Sequence, residues 1–274
     1  MTLDPLYLAS AVEAALAAGR IQRSYFRHAL HIQKKGVIDL VTEADLAVEH
    51  AFRALIAERF PGHVVLGEEA GEGPGAPDAR FRWIIDPIDG TTNFAHGLAL
   101  FCVSIALEID GRVVIGVVYD PMAKELFTAE RGGGSRLNGQ PIHVSGCHAL
   151  GDALLCTGFP YSVRTDAADR ARLVAAFAEF LGRSRGVRRL GSAALDVCYV
   201  AAGRFDGFWE HHLHPWDIAA AALLVEEAGG VVTDCAGGAF TPFAGQIVAT
   251  NGHIHRDVVS TLHEVEAREP RHRG

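Results

Sequence analysis

Two aspartates in one short stretch have the types and spacing that suit cation binding. Asp86 and Asp89 lie three positions apart within Trp83–Phe94, directly after three apolar residues. Two carboxylates, together with a carbonyl oxygen that a turn exposes, form an all-oxygen ligand set that suits Mg²⁺, Mn²⁺ or Ca²⁺ better than Zn²⁺. The D-x-D-x-D-G frame of an EF-hand loop is absent, so that class of calcium site is excluded.

The residues after the aspartates favour an anion beside the cation. Gly90 allows a sharp turn, and Thr91, Thr92 and Asn93 have helix N-cap chemistry. A helix that begins here directs free N–H groups and the positive end of its dipole towards the space beside the carboxylates. The stretch therefore predicts a metal-dependent phosphate site, and an Asx-rich turn that only caps a helix remains the alternative.

The element that positions the aspartates is predicted to be a short buried strand over 83–85. Pro87 has no N–H for a sheet and biases Asp86 towards an extended conformation, so we expect the strand to end there.

Two amphipathic helices are predicted before this strand. Asp4 and Pro5 form the N-cap and first position of a long helix. Thr42 and Asp45 have the spacing of a capping box for a second helix. A glycine-rich and proline-rich segment over 71–77 is predicted to be a mobile loop.

Strands dominate from 83 to 144. Alternating apolar residues on both sides of Asp110-Gly111 predict an antiparallel hairpin with a type I′ turn, and Asn138-Gly139 predicts another turn. The triple glycine Gly132–Gly134 is open to two interpretations, a phosphate cradle or a flexible turn between strands, and the turn is favoured.

From about Ser145 the pattern alternates between strands and helices, which is typical of α/β structure. The strands are expected at 153–157, 186–190, 205–210, 230–234 and 246–250, and the helices at 166–181, 192–202, 217–228 and from about 254. We therefore expect two lobes in a chain of 274 residues. Residues 1–144 would form an N-terminal α+β lobe with most metal ligands and the phosphate site, and residues 145–274 a C-terminal α/β lobe that completes the site.

Composition limits the partners. The chain has 25 Lys and Arg against 33 Asp and Glu, a net charge of −8, so we expect neither a nucleic-acid nor a membrane partner. Its five cysteines are scattered without C-x-x-C spacing, which favours reduced thiols in a reducing compartment. There is no N-terminal apolar region typical of a signal peptide and no apolar run approaching 18 residues, so we expect a soluble cytoplasmic protein. The basic end over 268–273 is expected to be a solvated tail.

Three segments together resemble a known family. Trp83–Phe94 is similar to the first signature of the inositol monophosphatase family, which belongs to the lithium-sensitive, Mg²⁺-dependent phosphatase superfamily with fructose-1,6-bisphosphatase. Pro215–Ala221 followed by Glu227–Gly230 is similar to the second signature, and Gly67–Glu69 to a third. The segments occur in the family's order, and the resemblance covers almost the whole chain. It implies a layered αβαβα sandwich and a homodimer.

The resemblance also implies the metal and phosphate ligands. Two or three Mg²⁺ would be held by four carboxylates and one carbonyl oxygen, those of Glu68, Asp86, Asp89, Asp217 and Ile88. Glu68 and Thr91 would orient the attacking water, with Asp45 behind Thr91, although the residues alone are equally consistent with Asp45 as a helix cap. The N–H groups of Gly90 and Thr91 would bind the phosphate.

The substrate contacts implied by the family fall on Ala193, Glu210 and Asp217. Ser192 is expected to cap the helix that Ala193 begins. Glu210 is the acidic residue that would receive hydroxyls of an inositol ring. Lys34 matches a basic residue near the family's site, and a solvated lysine is an equal alternative.

The loop between Glu210 and Asp217 departs from the family. His211, His212 and His214 stand where relatives commonly carry an apolar residue, a glycine and a basic residue. Three histidines suggest Zn²⁺, but they lack a convergent helical spacing, so solvated imidazoles are the favoured interpretation.

The predicted function is hydrolysis of inositol 1-phosphate to inositol and phosphate by metal-activated water, in line and without a phosphoenzyme. Within the same enzyme class the rival substrates are fructose 1,6-bisphosphate, histidinol phosphate and phosphoadenosine phosphate. A regulatory binding partner with little relevant turnover is the rival from another class.

Overall fold

The computed structural model describes residues 3–27, 33–34, 40–72 and 79–268. Three expectations fall wholly or mostly outside the described residues: the side chain of Lys34, the loop over 71–77 beyond residue 72, and the tail after residue 268.

The helices of the described residues begin and end close to the predicted positions. They are α1 (Pro5–Tyr25), α2 (Glu43–Arg59), α3 (Thr91–Ala95), α4 (Ala167–Arg183), α5 (Ala193–Ala201), α6 (Pro215–Glu227) and α7 (His255–Arg268). The caps follow the sequence, because the Asp4 carboxylate accepts from Leu6 N at 2.9 Å and Thr42 and Asp45 form the predicted capping box.

The strands form one small and two large sheets. In chain order they are β1 (Gln33–Lys34), β2 (Leu40–Val41), β3 (Val64–Gly67), β4 (Gly71–Glu72), β5 (Phe81–Asp89), β6 (Cys102–Ile109), β7 (Arg112–Asp120), β8 (Glu125–Glu130), β9 (Gly134–Leu137), β10 (Gln140–Pro141), β11 (Leu154–Thr157), β12 (Gly186–Arg188), β13 (Gly207–His211), β14 (Val231–Thr233) and β15 (Gln246–Thr250).

β1 pairs only with β2, and the two larger sheets contain the other strands in the order β10-β9-β8-β7-β6-β5-β3-β4 and β12-β11-β13-β15-β14. The eight-stranded sheet is antiparallel except for the pair β3 and β5. The predicted hairpin joins β6 and β7, with positive φ at both Asp110 (51°) and Gly111 (76°), as a type I′ turn requires.

The elements stack in five layers, and this arrangement confirms the predicted αβαβα fold class. Helices α1 and α2 cover one face of the eight-stranded sheet. Helices α5 and α6 lie between its other face and the five-stranded sheet, whose outer face packs against α4 and α7. Both faces of β5 are therefore buried, which explains why its apolar residues run continuously instead of alternating with polar ones.

Close packing of the middle layer depends on one glycine. A Cβ built on Gly116 of β7 would lie 2.5 Å from the carbonyl oxygen of Ala220 in α6, so a larger residue would push the helix away from the sheet. The two sheets divide near the predicted boundary at residues 144 and 145, but they share the core around α5 and α6. The division into two lobes therefore stays a prediction.

The triple glycine forms a turn between β8 and β9. The N–H groups of Gly132 and Gly134 donate to the Glu227 carboxylate at 2.8 and 3.0 Å. Because a carboxylate of α6 accepts from these two N–H groups, the turn interpretation is favoured over the phosphate cradle.

The five cysteines are unpaired, as the sequence predicts. Among the helices built from described residues, none combines the length and the apolar character that crossing a bilayer requires.

Candidate active site

Strand β5 continues past the proline at which we expected it to end. Its pairing with β6 shifts register between Asp86 and Asp89, so Pro87 lies in a bulge where the ladder needs no N–H. The expected end at Asp86 is therefore wrong. The fully buried Gln22 of α1 supports the bulge, because its amide nitrogen donates to the Pro87 carbonyl at 2.7 Å.

Three aspartates converge at this bulge. Asp86, Asp89 and Asp217 each offer a carboxylate oxygen, and these atoms all lie within 4.8 Å of one another. Asp86 accepts from the N–H of Ile88 at 2.9 Å, and Asp217, in the first turn of α6, accepts from the N–H of His214 at 2.7 Å. The first motif therefore contributes Asp86 and Asp89 to the cluster, and the second motif contributes Asp217.

The cluster has the properties of a cation site. Burial, reinforced by the nearby carboxylates Glu68, Asp89 and Asp217, raises the pKa of Asp86 well above its ordinary value. Burial also raises the pKa of Asp217 well above its ordinary value, with the charge of Asp89 as the next contribution. Buried charges are normally paired or bound to metal, and an all-carboxylate donor set suits a hard cation. The residues therefore fit the expected Mg²⁺.

Asp89 is held by the start of α5. Its carboxylate accepts from Ala194 N at 2.8 Å, from Ala193 N at 3.2 Å and from the hydroxyl of Ser192. Burial raises the pKa of Asp89 although these hydrogen bonds oppose the shift. Ser192 is the predicted N-cap of α5, since it also accepts from Leu195 N at 3.4 Å. Its bond to Asp89 joins residues 103 positions apart, and no local signal predicts it.

The turn after the aspartates has the geometry that the glycine predicted. Gly90 has φ of 97°, and a Cβ there would lie 3.0 Å from the Leu100 carbonyl oxygen. The Thr91 hydroxyl donates to the carbonyl oxygen of Ile88 at 2.9 Å. That carbonyl is the one expected to bind metal, and its second lone pair remains for such a bond.

Asp45 lies behind the cluster as a buried cap. It accepts from Thr42 N at 2.8 Å and from the Thr42 hydroxyl at 2.6 Å, while its other oxygen has no hydrogen-bond partner in the described part of the chain. Burial raises its pKa to about 7. The hydrogen bond of the Thr91 hydroxyl goes to Ile88, so a relay from Asp45 to Thr91 stays a prediction.

A cavity of about 420 Å³ opens over the three aspartates. Every predicted site residue except Asp45 lines it: Glu68, Asp86, Ile88, Asp89, Gly90, Thr91, Ala193, Glu210 and Asp217. Glu210 ends in the cavity from β13, and a Cβ on Gly158 would overlap its carboxylate. Burial raises the pKa of Glu210 well above its ordinary value, with Asp217 and Asp196 adding to the shift.

Two charged residues of the cavity were missed by the sequence analysis. Arg189 lines the cavity, and so does Asp196 of α5, which is 1% exposed and has one oxygen without a hydrogen-bond partner among the described residues. An aspartate within the otherwise apolar run of α5 is a signal that would have found Asp196. Arg189 carries no such signal, because it directly follows Arg188 in an arginine-rich segment and exposed arginines are common.

The three histidines do not converge on a metal. Within the described residues, Asp86, Asp89 and Asp217 form the only group of three potential ligands, so the zinc interpretation gains no support. His212 and His214 line the cavity.

Comparison with known proteins identifies the relatives of this chain. The model of the inositol monophosphatase family matches residues 4–267. The chain belongs to this family. It is 44% identical over 245 residues to the inositol-1-monophosphatase of Rhizobium meliloti. The matched residues cover 89% of this chain and 91% of that protein.

It is also 45% identical over 257 residues to the Nus factor SuhB of Pseudomonas aeruginosa, covering 92% of this chain and 94% of that protein. The solved inositol monophosphatase of Anabaena superposes with a TM-score of 0.86 at 42% identity and covers 94% of this chain and 96% of that one. Membership of the inositol monophosphatase family and the prediction of a phosphatase are thereby confirmed.

The contact between Gln22 and the bulge gives a first test. Gln22→Met keeps most of the side-chain volume but leaves the Pro87 carbonyl without its donor, so we expect the free energy of unfolding to fall by about 1–3 kcal/mol. Urea denaturation measures the loss. Ser10→Ala is the control on the same helix, where a buried hydroxyl accepts from a half-exposed Arg59 at 3.1 Å, and it is expected to cost less. Equal stability of Gln22→Met and the wild type would show that the bulge does not need this bond.

Proposed function

We propose that this protein is a Mg²⁺-dependent phosphomonoesterase that hydrolyses inositol 1-phosphate to inositol and phosphate. The observation that carries the proposal is the convergence of three carboxylates within 4.8 Å at a cavity, those of the buried Asp86 and Asp89 and of the partly buried Asp217. Membership of the inositol monophosphatase family supports the substrate. Phosphate release from a panel of esters, with Mg²⁺ and with EDTA, tests both the substrate and the cofactor.

In this proposal, two or three Mg²⁺ are held by the carboxylates of Glu68, Asp86, Asp89 and Asp217 and by the carbonyl of Ile88. When bound there, Mg²⁺ would lower the pKa of water and would neutralise charge on the phosphate and on the leaving oxygen. The donors around Asp89 and Asp217 keep these carboxylates oriented with few alternative rotamers, which lowers the entropy lost on binding.

Glu68 and Thr91 position the attacking water in the proposed mechanism. The Thr91 hydroxyl donates to Ile88, so its own oxygen can accept from a water. Asp45 supports this region by fixing the start of α2. The N–H groups of Gly90 and Thr91 bind phosphate oxygens, and the turn at Gly90 allows the backbone to approach them closely.

The polyol part of the substrate would bind on the opposite side of the cavity. Glu210 accepts from ring hydroxyls, with Ala193 and Asp217 as neighbouring contacts. The N–H of Ala193 donates to Asp89, and its carbonyl belongs to the first turn of α5, which leaves its methyl group as the part available to a substrate.

Two rival functions stay open to the same experiment. Fructose 1,6-bisphosphate, histidinol phosphate and phosphoadenosine phosphate belong in the panel as competing esters. The relative named Nus factor SuhB is the reason to retain a regulatory binding role as an alternative. The complete carboxylate set favours catalysis, since a binding role alone does not require buried acids at this spacing.

Three finer properties belong to the same proposal: a homodimer, a cytoplasmic location and inhibition by lithium. The first and third follow from the family resemblance. The unpaired cysteines support a reducing compartment for the second.

A substitution at Asp86 tests the need for the metal. Asp86→Asn retains the acceptor for Ile88 N but removes a charge that the cations share, so we expect turnover to fall about 100-fold or more with the fold intact. Phosphate release with saturating Mg²⁺ measures this loss. Asp120→Asn is the control, a buried carboxylate outside the cavity that accepts from two backbone N–H groups, and its turnover is expected to stay normal. Hydrolysis that resists EDTA would contradict the proposal.

A substitution at Glu210 tests the polyol contact. Glu210→Ala is expected to lower kcat/KM for inositol 1-phosphate. The loss corresponds to about 1.5–3 kcal/mol of transition-state stabilisation, the range for hydrogen bonds to a charged group. The kcat/KM for glycerol 2-phosphate is expected to fall much less, because this ester has fewer hydroxyls that Glu210 could bind. The ratio of the two values cancels any damage to the metal site, and equal losses would mean that Glu210 supports the fold or the metals instead.

A further inference from the structure

In the loop that joins β13 to α6, a histidine lines the cavity although its backbone has a conformation that favours glycine. His212 has φ of 61°, in the left-handed region where a non-glycine side chain is uncommon. Its ring lines the cavity, whereas the neighbouring His211 is not among the residues that line it. The strained residue is therefore the one that faces the ligand space.

Glu210 and His212 reach the cavity from the same end of β13. Glu210 belongs to the strand and His212 is the first residue after it, and both of these residues line the cavity. His211, between them, is not among the residues that line the cavity, and its Nε2 is 3.3 Å from the Arg172 guanidinium of α4.

The imidazole is held by a carboxylate that is itself fixed. The Nε2 of His212 is 3.1 Å from the Asp169 carboxylate of α4. Arg172 donates to the same carboxylate at 2.6 Å, and the Ser162 hydroxyl donates to it at 3.3 Å. The Asp169 side chain is only 11% exposed. Burial acts to raise the pKa of Asp169, but the hydrogen bonds from Arg172 and His212 outweigh it and lower the value.

This pairing determines which atom of the ring is left for a ligand. Because Nε2 faces Asp169, Nδ1 is the ring nitrogen that can bond to a group in the cavity. A hydroxyl can donate to Nδ1 when the ring is neutral and accept from it when the ring is charged, so a polyol suits either state. The ring contributes little to the core, because its side chain is 51% exposed.

We propose that His212, positioned by Asp169, is a specificity-determining residue that contacts the polyol part of the phosphate ester beside Glu210. The inference rests on the proposed function, since it concerns the leaving group of the same reaction. Asp169 acts only through His212 and is a positioning residue.

Substitution by glycine separates a ligand contact from a structural role. His212→Gly removes the ring at a backbone conformation that glycine adopts without strain, so we expect an unchanged or higher melting temperature. KM for inositol 1-phosphate is expected to rise about three- to tenfold, the effect of losing one hydrogen bond, with kcat within about twofold of the wild type. Values for glycerol 2-phosphate are expected to stay unchanged.

Two further variants complete the experiment. Asp169→Asn is expected to raise KM for inositol 1-phosphate in the same direction, and the double variant to lose little more than His212→Gly alone. His211→Ala is the matched control, a neighbouring imidazole beside the same arginine, and it is expected to leave the ratio of the two substrates unchanged.

The outcomes distinguish this inference from the proposed function. A wild-type enzyme without activity on inositol 1-phosphate would overturn the proposed substrate. A wild-type enzyme that is active, together with a His212→Gly variant whose substrate ratio is unchanged, would overturn only the role of His212. A change in the ratio that His211→Ala reproduces would also overturn it, because the effect would then belong to the loop as a whole.

Discussion

Repulsion among three clustered carboxylates, two of them buried and one partly buried, is the constraint on which the site depends. Two unit charges 4.8 Å apart, the upper limit for Asp86, Asp89 and Asp217, repel by about 3–4 kcal/mol at an effective dielectric constant of ~20. A hydrogen bond to a charged group contributes about 1.5–3 kcal/mol. The cluster has three such pairs, and the five hydrogen bonds that these carboxylates accept from N–H and hydroxyl groups offset a repulsion of about the same size, so the cost of burying the charges is left uncompensated. A bound cation is therefore needed for all three carboxylates to be ionised together.

The supports of the cluster come from several layers of the fold. Asp86 and Asp89 belong to β5 of the eight-stranded sheet, whereas Asp217 belongs to α6 in the middle layer. The start of α5 donates to Asp89, and α1 donates to the bulge from the outer layer. Burial of the apolar faces of α5 and α6 between two sheets therefore sets the separation of the carboxylates.

Local signals in the sequence predicted most of the elements, because they act over a few residues. The capping box at Thr42, the type I′ turn at Asp110-Gly111 and the turn at Gly90 all have the expected geometry. Strand β5 is the exception. Pro87 argues for an end when the strand is considered alone, but β6 accommodates it in a bulge, and that register depends on the partner strand.

The candidate site was predicted through motifs, and its long-range supports were not. The carboxylates at 86, 89 and 217 could be assigned from two short segments that, together with a third, resemble one family. The bonds of Gln22 to Pro87 and of Ser192 to Asp89 join distant positions, and in the sequence Gln22 is an ordinary helix residue and Ser192 only a helix cap. His212 illustrates the same limit, since its backbone conformation and its partner Asp169 follow from the tertiary fold.

Thermal unfolding with EDTA and with Mg²⁺, for the wild type and for Asp217→Asn, tests most directly whether the carboxylates form one cation site. A cation that binds only the folded state stabilises it, so Mg²⁺ is expected to raise the melting temperature of the wild type. In EDTA, Asp217→Asn is expected to be at least as stable as the wild type, because one repelling charge is gone, and Mg²⁺ is expected to stabilise it much less. An equal rise in both proteins, or no rise in the wild type, would contradict the account.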